Sequence, residues 1–485
     1  MNNRIKIIWL FLLIVSIGIF DSCTKVLDQD PSHEIDGSTG FKTIDDYQFA
    51  LTGAYKLFQQ ANYYGTTAPA NAYGANAFVC LPDMMSDNLN ESGESLGNYT
   101  ILSAWIYAED EPNIAATWVG AYYIIAQDNI ILRSIDNVKD ADQGAINRIK
   151  AQALAMRAMV HFDILRYWAE EFDRNSTKPG IPYITEFNYN QKPSRGTIKE
   201  TYDKIEADLA SAKQLMANID QPINADSRYY IDEDVVNAIL ARVSLYSKQW
   251  DKAIGYASDV IENIPLANRS QFPGIWTDVS QAEVIWSLAF NSGEDNIGGD
   301  VYFSPNNRSS YAPNETLVNS YDPDNDIRFD SYFKVIDDND GSPRLVVSKY
   351  LAKQSQLRKP DGIVDFKVFR TGEMYLIRAE AYAALSNNAS ALADLNTLRA
   401  ARIDGFVPGT ETGNALKNAI ALERRKELIC EGHRWFDLKR TTKTIERTEC
   451  TDNCTLLPDD RSWAWPIPIG EINANANIAP QNPGY

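Results

Sequence analysis

Apolar residues along most of the chain recur every three or four positions, which is the spacing of an amphipathic helix. The same spacing predicts long helices in several places. In the first of them, Tyr47, Leu51 and Phe58 fall on one face. The pattern therefore predicts a mainly α-helical protein. The predicted helices cover residues 44–60, 114–137, 144–170, 197–217, 232–263, 370–402 and 414–440.

These helices are expected to pack in pairs. Within residues 232–263, one apolar face ends at Leu245 and Tyr246, and a second begins at Trp250 after a short turn. That arrangement resembles a tetratricopeptide helix hairpin. The repeats are degenerate and widely separated, so the sequence predicts a tetratricopeptide-like scaffold of four helix pairs and not a regular solenoid.

Two long stretches, about residues 61–113 and 264–368, have no lasting helical period. Both are rich in Asn, Gly and aromatic residues, and an alternating apolar run at Glu283–Phe290 predicts one short strand. Long ordered loops commonly carry function. We therefore expect a single domain, residues 41–485, in which two large irregular insertions pack against one side of the helical scaffold.

The amino terminus has the pattern of an export signal. Arg4 and Lys6 precede an apolar run from Ile7 to Phe20, which is too short to span a bilayer comfortably. We expect residues 1–22 to be a signal peptide, with Cys23 acylated as in lipoproteins and residues 23–40 forming a polar tether. Ordinary cleavage, with Cys23 incidental, is the alternative. The rest of the chain is expected to reach a membrane only through this lipid anchor.

The net charge of the chain limits the kinds of molecule that it is expected to bind. The formal net charge is −19, and the acidic residues are spread throughout the sequence. A diffuse negative field disfavours nucleic acid and polyanionic substrates, and no nucleic-acid partner is expected. Aromatic residues make up 11% of the chain, which supplies flat apolar surface for packing or for a ligand.

Glycan binding needs aromatic faces for sugar C–H surfaces, together with amides and carboxylates for hydroxyl groups. Both insertions contain such residues, and Trp105 lies just before the first long helix of the scaffold. Packing is the commoner role of any single residue, but we expect at least two of the set to line a site. Trp118 and Trp286 are expected in the core. The candidate ligand-binding residues are Tyr64, Tyr73, Asn76, Trp105, Trp276, Tyr302, Asn307 and Tyr311.

Catalytic motifs lack the context that they require. Gly93–Gly97 spells G-x-S-x-G, but no apolar strand precedes it and no helical pattern follows it. The chain has three histidines, His33, His161 and His433. The charged residues between Glu423 and Asp437 are expected to form a buried or half-buried ion network. No catalytic residue is therefore predicted.

Metal binding is not favoured either. Asp322, Asp324 and Asp326 have the one-three-five spacing of a calcium loop, but Ile327 and Phe333 stand where such a loop needs Gly and Glu. A solvated turn is expected, and an irregular Ca²⁺ site is left open; no other cofactor is expected. Cys450 and Cys454 are close enough in sequence to pair, and a disulfide or free thiols are favoured over zinc.

Three stretches together resemble the SusD/RagB family of Bacteroidetes outer-membrane lipoproteins. They are SCTKVLDQDPS at residues 22–32, ALERRKELICEGHRWFDLKR at residues 421–440, and the tail with Pro466-Ile467-Pro468 and Gln481–Tyr485. Their order spans nearly the whole chain.

The resemblance implies a surface-exposed lipoprotein of the outer membrane that covers a SusC-like, TonB-dependent transporter. Such a protein captures oligosaccharides, or in some members peptides, and has no catalytic activity. Capture of peptides by the same architecture is the leading alternative. A surface glycoside hydrolase with a carboxylate pair and an adaptor that binds only proteins are rivals of other classes.

Overall fold

Helices form most of the regular structure, as the hydrophobic spacing predicts. The computed structural model describes residues 41–59, 63–65, 76–139, 141–217, 219, 228–291, 293–297, 308–337, 341–450 and 453–485. The predicted signal peptide, tether and lipidation site at Cys23 lie outside these residues. The helices are α1 (Ile44–Gln59), α2 (Leu81–Met84), α3 (Thr100–Ser103), α4 (Pro112–Ser134), α5 (Gln143–Trp168), α6 (Ile198–Met216), α7 (Glu233–Tyr246), α8 (Trp250–Asn263), α9 (Phe272–Ile275), α10 (Glu315–Val318), α11 (Ile327–Tyr332), α12 (Thr371–Ala384), α13 (Asn388–Arg402), α14 (Gly413–Glu427), α15 (Arg434–Arg440) and α16 (Ile469–Ala474).

The strands are short and pair across long stretches of sequence. Within the described part of the chain they form antiparallel pairs, β1 with β3, β2 with β6, β4 with β5 and β7 with β8. The strand predicted from alternation at Glu283–Phe290 is confirmed as β2. The strands are β1 (Leu89–Glu91), β2 (Val284–Leu288), β3 (Tyr311–Pro313), β4 (Phe333–Asp337), β5 (Pro343–Val347), β6 (Phe366–Arg370), β7 (Ile445–Glu446) and β8 (Thr455–Leu456).

Polar residues before the long helices explain where those helices begin. The carboxylate of Asp142 accepts a hydrogen bond from the backbone N–H of Ala145 at the start of α5. Thr197 and Glu200 form a reciprocal capping box at the start of α6. Such caps satisfy backbone donors that the first helical turn leaves without partners. The helix boundaries are therefore encoded locally.

The helical scaffold is built from neighbours in sequence that pack side by side. α5 packs against α4 and α6, α7 against α8, and α12 against both α8 and α13. Ala151, Ala155 and Ala158 of α5 are fully buried, because small side chains let adjacent helices approach closely. The predicted mainly α-helical architecture is confirmed.

One predicted helix is broken at a point where the hydrophobic spacing does not change. Residues 414–440 form α14 and α15, separated by a turn in which Cys430 has φ of +57° and Gly432 has φ of +80°. A Cβ atom at Gly432 would lie 1.9 Å from the carbonyl oxygen of Phe78. The chain therefore turns here because two segments approach closely, and Cys430 is a buried turn residue and not a helical one.

The second interruption divides residues 370–402. Here α12 ends at Ala384, and Ser386 adopts φ of +62° before Asn387 caps α13. Left-handed backbone at one residue reverses the chain and lets α12 and α13 pack as a hairpin.

A dominant apolar core runs through the described chain from Tyr47 to Ile478. It contains Trp118 and Trp286, as expected from the sequence. Residues from the helices, from β2 and β6, and from the carboxy-terminal tail all contribute to it. The loop-rich insertions are thus packed on the scaffold through shared side chains.

A buried ion network lies beside this core. The carboxylate of Glu427 lies 2.9 Å from Nη2 of Arg402, 2.9 Å from Nη1 of Arg370 and 3.0 Å from Nη1 of Arg328. Burial alone raises the pKa of Glu427, but the three guanidinium groups reverse this and hold it well below its usual range. The predicted ion network in this part of the sequence is confirmed.

Two further features concern a cysteine pair and the lengths of the helices. Cys450 and Cys454 form a disulfide, with their Cα atoms 5.6 Å apart. Within the part of the chain that the structure describes, the helices are too short or too polar to cross a bilayer.

Replacing Glu427 by Gln should strongly destabilise the protein. Three buried guanidinium groups would lose their shared carboxylate, and breaking a buried ion network in this way costs about 3–5 kcal/mol. Urea denaturation should show this loss, whereas Glu262→Gln on the exposed side of α8 should change stability by less than about 0.5 kcal/mol. Equal stability of the two variants would contradict the role assigned to Glu427.

Replacing Asp128 by Asn should stabilise the protein at neutral pH. Asp128 is fully buried in α4, and no hydrogen bond among the described residues reaches its carboxylate oxygens. Burial raises the pKa of Asp128 well above its ordinary value of 3.8, and the charge of Arg157 offsets this only in part. The folded state therefore holds this proton more tightly than the unfolded chain, and stability falls as pH rises above about 4.

Thermal melts between pH 3.5 and 8 test this. The variant should be more stable by at least about 1 kcal/mol at pH 7, and the difference should disappear near pH 4. The exposed Asp110→Asn variant should show no such pH-dependent gain. A gain that persisted below pH 4 would mean that ionisation is not its cause.

Candidate functional site

The two irregular insertions meet at the β1–β3 pair. Glu91 of β1 faces Tyr311 of β3, and the backbone N–H of Ser92 donates to the carbonyl of Ser310 at 2.8 Å. β1 belongs to the first insertion and β3 to the second. The structure therefore brings together the two stretches in which the sequence predicted a binding site.

A second link joins the insertions at Asn76. Its side-chain amide donates to the carbonyl oxygen of Tyr64 at 2.5 Å and to that of Asn296 at 3.1 Å. Asn76 has φ of +48°, a conformation that Asn tolerates better than most residues. This buried amide therefore links Tyr64 and Asn76 of the first insertion to Asn296 of the second.

Glu94 closes the junction from the solvent side. One carboxylate oxygen accepts the backbone N–H of Ser309 at 3.0 Å and lies 2.9 Å from the guanidinium of Arg344. Glu94 thus connects the first insertion to both the entrance of β3 and the β5 strand. We use "loop face" for the surface formed by residues 91–106, residues 309–313 and Arg344.

The loop face exposes apolar groups among polar ones. Leu96 is 64% exposed, Ile101 is 46% exposed and Ile106 is 54% exposed. Near them, Glu91 accepts hydrogen bonds from the hydroxyl groups of Ser95 at 2.5 Å and Thr100 at 2.7 Å. Exposed apolar side chains beside hydroxyl and carboxylate groups are suited to a ligand with both C–H surfaces and hydroxyl groups.

The loop face is held from behind by α14 and α15. Arg434 makes two hydrogen bonds to the carboxylate of Asp87, at 2.7 Å and 2.8 Å. Arg425 donates to the side chain of Asn88 at 2.9 Å and to the carbonyl of Asp87 at 2.6 Å. Asp87 and Asn88 lead directly into β1. These two arginines therefore position the first strand of the loop face.

The five candidate ligand-binding residues that the structure describes are buried. Tyr64 packs between Phe58 and Phe366, and Asn76 bridges the insertions as stated above. The ammonium nitrogen of Lys349 lies 4.1 Å from the centre of the Trp276 ring. In this structure these side chains pack within the protein, and direct contact with a ligand stays a prediction.

The other two described candidates, Trp105 and Tyr311, are buried residues within the segments that form the loop face. The hydroxyl of Tyr311 lies 3.2 Å from the hydroxyl of Ser103. The indole N–H of Trp105 donates to the carbonyl of Met85 at 2.9 Å, and the guanidinium of Arg447 lies 4.2 Å over its ring. Since Trp105 has φ of +59°, its backbone turns sharply at the edge of this surface. Tyr73, Tyr302 and Asn307 lie outside the described residues.

Sequence reasoning missed the residues that assemble the loop face. Glu91, Glu94 and Arg344 carried no periodic or motif signal, because their partners are distant in the sequence. The G-x-S-x-G spelling at Gly93–Gly97 proves to be a turn in which the Ser95 hydroxyl donates to Glu91. The Gly and Ser residues of this stretch, SGESLG at residues 92–97, are the sequence sign of a turn.

His161 is held in the core by backbone groups. His161 is buried, its Nδ1 lies 2.8 Å from the Arg157 carbonyl, and its Nε2 accepts the backbone N–H of Ile184 at 3.0 Å. Burial lowers the pKa of His161 to about 3. The ring is therefore neutral and held by backbone groups.

The three aspartates with the spacing of a calcium loop have protein partners. The carboxylate of Asp326 is buried and binds Arg328 at 2.8 Å and Lys426 at 2.9 Å. Asp322 accepts backbone N–H groups of Asp324 and Asn325, as in an ordinary turn. Across the described residues, no cluster of three or more His, Cys, Asp or Glu side chains is arranged to hold a metal ion.

Comparison with protein families gives two matches. A model described as "SusD family" matches residues 343–485, and one described as "Starch-binding associating with outer membrane" matches residues 40–245. Among curated relatives, SusD-like protein P38 of Formosa agariphila is 25% identical over 90% of this chain and 91% of its own length. SusD-like protein P2 of the same organism is 24% identical, with 100% of both chains covered.

Solved structures share the fold. A SusD superfamily protein from Bacteroides thetaiotaomicron superposes with a TM-score of 0.78 and 26% identity, covering 91% of this chain and 100% of that one. A SusD-like carbohydrate binding protein from Bacteroides vulgatus gives a TM-score of 0.76 and 22% identity, covering 90% and 98% of the two chains.

Replacing Arg434 by Met should loosen the loop face and lower stability. Burial by itself raises the pKa of Asp87, but the hydrogen bond and charge of Arg434, with the charge of Arg425, lower it to about 2. Asp87 therefore contributes stability above about pH 4 that is lost as pH falls toward 2. At about 1.4 kcal/mol per pKa unit, we expect a loss of about 2 kcal/mol at pH 7.

Thermal melts and amide hydrogen exchange measure both effects. Residues 87–92 should exchange faster in the variant, and the stability gap should close as pH approaches 2. The exposed Arg358→Met variant is the matched control and should leave both unchanged. A gap that did not depend on pH would show that Asp87 is not the partner that matters.

Proposed function

The chain belongs to the SusD/RagB family, and from that we propose that it binds glycans at the bacterial cell surface. The observation that supports this proposal most is the loop face. Both irregular insertions are joined there by β1 and β3, and they present apolar side chains among hydroxyl and carboxylate groups. The family model that matches residues 40–245, described as starch-binding, covers the first of these insertions.

The proposed ligand is an oligosaccharide that lies along the loop face. Leu96, Tyr99 and Ile101 would contact the C–H surfaces of the sugar, and nearby hydroxyl groups would contact its own hydroxyls. Tyr73, Tyr302 and Asn307 are proposed as further contacts. Tyr73 lies in the sequence between Gly65 and Asn76, and the other two lie between Ile297 and Arg308, so both segments adjoin residues that link the insertions. Tyr64, Asn76, Trp105, Trp276 and Tyr311 are proposed to act with them, chiefly by holding these segments in place.

We further propose that binding is not followed by cleavage. Glycoside hydrolysis needs two carboxyl groups across a cleft, one of which acts as an acid. On the loop face, Glu94 is bound to Arg344 and to the Ser309 N–H, and Glu91 accepts two hydroxyl groups. These two carboxylates are therefore engaged by donors of the protein itself.

The proposed location is the outer surface of the outer membrane. The sequence supports this with its signal-like segment, the lipoprotein-like Cys23 and the tether of residues 23–40. The description of the amino-terminal family model, which includes association with the outer membrane, agrees with it. From there the protein would hand its ligand to a SusC-like, TonB-dependent transporter.

Calorimetric titration of residues 24–485 against a glycan panel and casein-derived peptides tests this function. The panel should hold neutral α-glucans, β-glucans and mannans as well as acidic glycans. Each mixture should then be examined by chromatography for cleavage products. Binding to one glycan class without products is expected. Binding to peptides alone would favour the peptide alternative, and released products would overturn the non-enzymatic proposal.

Alanine variants of the proposed contacts locate the site. Tyr73→Ala, Tyr99→Ala and Tyr302→Ala should each weaken glycan binding by about 1–3 kcal/mol, or about 5- to 150-fold in Kd. Loss of a stacking ring is the physical reason. Tyr123→Ala, which removes a ring that is 51% exposed on α4, is the matched control and should bind normally. Normal binding by all three folded variants would place the ligand elsewhere.

A further inference from the structure

A large open groove lies among the helices of the amino-terminal half and shares no residue with the loop face. Its volume is about 1900 Å³. It is bordered by the start of α1, the end of α4, the middle of α5, the end of α6 and the loop of residues 185–190. We use "basic groove" for this surface.

The charge of the basic groove is opposite to that of the whole protein. Its lining contains Lys42, Arg133, Lys139, Lys150 and Arg157, against one acidic residue, Glu186. The chain as a whole has a net charge of −19. Arg157 is held by Asp208 at 2.7 Å, and Lys150 by Asp136 at 2.8 Å. Lys42, Arg133 and Lys139 are solvent-exposed at the rim.

Part of the groove below this rim is apolar. Ile130, Leu132 and Leu154 line it and are only partly buried, as is Phe187 of the 185–190 loop. Next to Phe187, the ring of Tyr189 is 89% exposed and packs edge-on at 4.7 Å. The surface therefore combines apolar patches with positive charge. Its occupant should carry apolar side chains and negative charge.

The chain itself enters the described structure at this groove. Phe41 and Lys42 are among its lining residues, and the Phe41 ring lies 5.2 Å from that of Tyr47. The backbone N–H groups of Lys42 and Thr43 donate to Asp46 at 2.9 Å and 2.8 Å, which fixes the direction in which the chain arrives.

The residues just before Phe41 have the required composition. Residues 24–40 read TKVLDQDPSHEIDGSTG. They contain the acidic residues Asp28, Asp30, Glu34 and Asp36 against one basic residue, Lys25, and the apolar residues Val26, Leu27 and Ile35. Negative and apolar residues are thus both present in this short segment, as the groove would require.

We propose that this acidic segment, residues 26–36, binds in the basic groove of its own chain. The carboxylates of the segment contact Lys139, Arg133 and Lys42, and Val26, Leu27 and Ile35 contact the apolar floor. The proposal rests on the groove and on the sequence of the segment. It does not depend on glycan binding at the loop face.

Distance and concentration favour this occupant over a separate molecule. Along an extended chain, Asp36 can lie at most about 17 Å from Phe41, and Asp28 at most about 45 Å. The groove follows α4 and the next turn from Gln127 to Lys139, which is about 18 Å at helical rise. A segment tethered this closely has an effective concentration in the millimolar range, so weak contacts are enough to fill the groove.

Docking of the segment would direct the path of the tether. The chain would leave the body along α4, and Cys23 would lie at the end of the groove. If Cys23 is acylated, this contact sets how the body is oriented relative to its anchor. High salt would release it, because the rim charges are exposed to solvent.

Carbodiimide cross-linking of residues 24–485 tests the proposal. All packing described above lies within residues 41–485, so this chain retains the folded body. Mass spectrometry should find Lys139 linked to carboxylates of residues 28–36 at least five times more often than Lys417, an exposed lysine on α14. The excess should disappear in 0.5 M salt. Equal yields at the two lysines would overturn the proposal.

Two sets of variants complete the test. Amide exchange of residues 26–36 should speed up at least threefold in Arg133→Glu/Lys139→Glu, and stay unchanged in the control Lys417→Glu. Neutralising the segment by Asp28→Asn, Asp30→Asn, Glu34→Gln and Asp36→Asn should have the same effect without touching the folded body. Unchanged exchange in both sets would overturn the proposal.

A mixture of ¹⁵N-labelled and unlabelled chains separates this contact from one between two molecules. Cross-links within one isotope are expected. Mixed cross-links would show that the groove takes the segment of a second copy. If an acidic glycan, and not high salt alone, abolished the cross-links, the groove would be a ligand site and the segment only a weak occupant, which would also overturn the proposal.

Discussion

Glu427 is the point at which four distant parts of the chain meet. Its carboxylate contacts Arg328 of α11, Arg370 of β6 and Arg402 of α13, and it lies itself at the end of α14. Glu283, just before β2, bridges Arg370 and Arg402. The side chains are fully buried, so each charge depends on the others for the solvation that it lost on folding. The carboxy-terminal helices therefore cannot shift without leaving buried charges uncompensated.

That constraint reaches the surface through the turn after Glu427. Glu431 continues the network by binding Arg370 and Lys349, and the left-handed residues Cys430 and Gly432 bring the chain against Phe78. α15 then begins, and Arg434 holds Asp87 at the entrance to β1. The segment from Glu427 to Arg434 thus connects the buried ion network to the loop face. Its charged residues hold the loop face in shape from within the protein.

A solved structure with about a quarter of its residues identical has the same fold. In this chain the helices, their caps and the ion network hold the scaffold, and the two insertions form the loop face. The loop face and the basic groove lie on separate residues of this scaffold. One is built from the insertions, and the other from the amino-terminal helices at the point where the chain enters. The two proposed contacts, with a glycan and with the amino-terminal segment, therefore involve separate residues.

The sequence by itself determined the helices, the β2 strand, the buried character of Trp118 and Trp286, and the ionic role of residues 423–437. These depend on local periodicity, capping and composition, which are present along the chain. Only the tertiary structure decided where the predicted helix of residues 414–440 breaks, that Asp326 binds Arg328 and Lys426, and that Asn76 and Glu94 join the insertions. It also decided that Trp276 and Tyr311 are buried. The physical reason is that each of these depends on partners far away in sequence, and periodicity carries no information about which distant groups will meet.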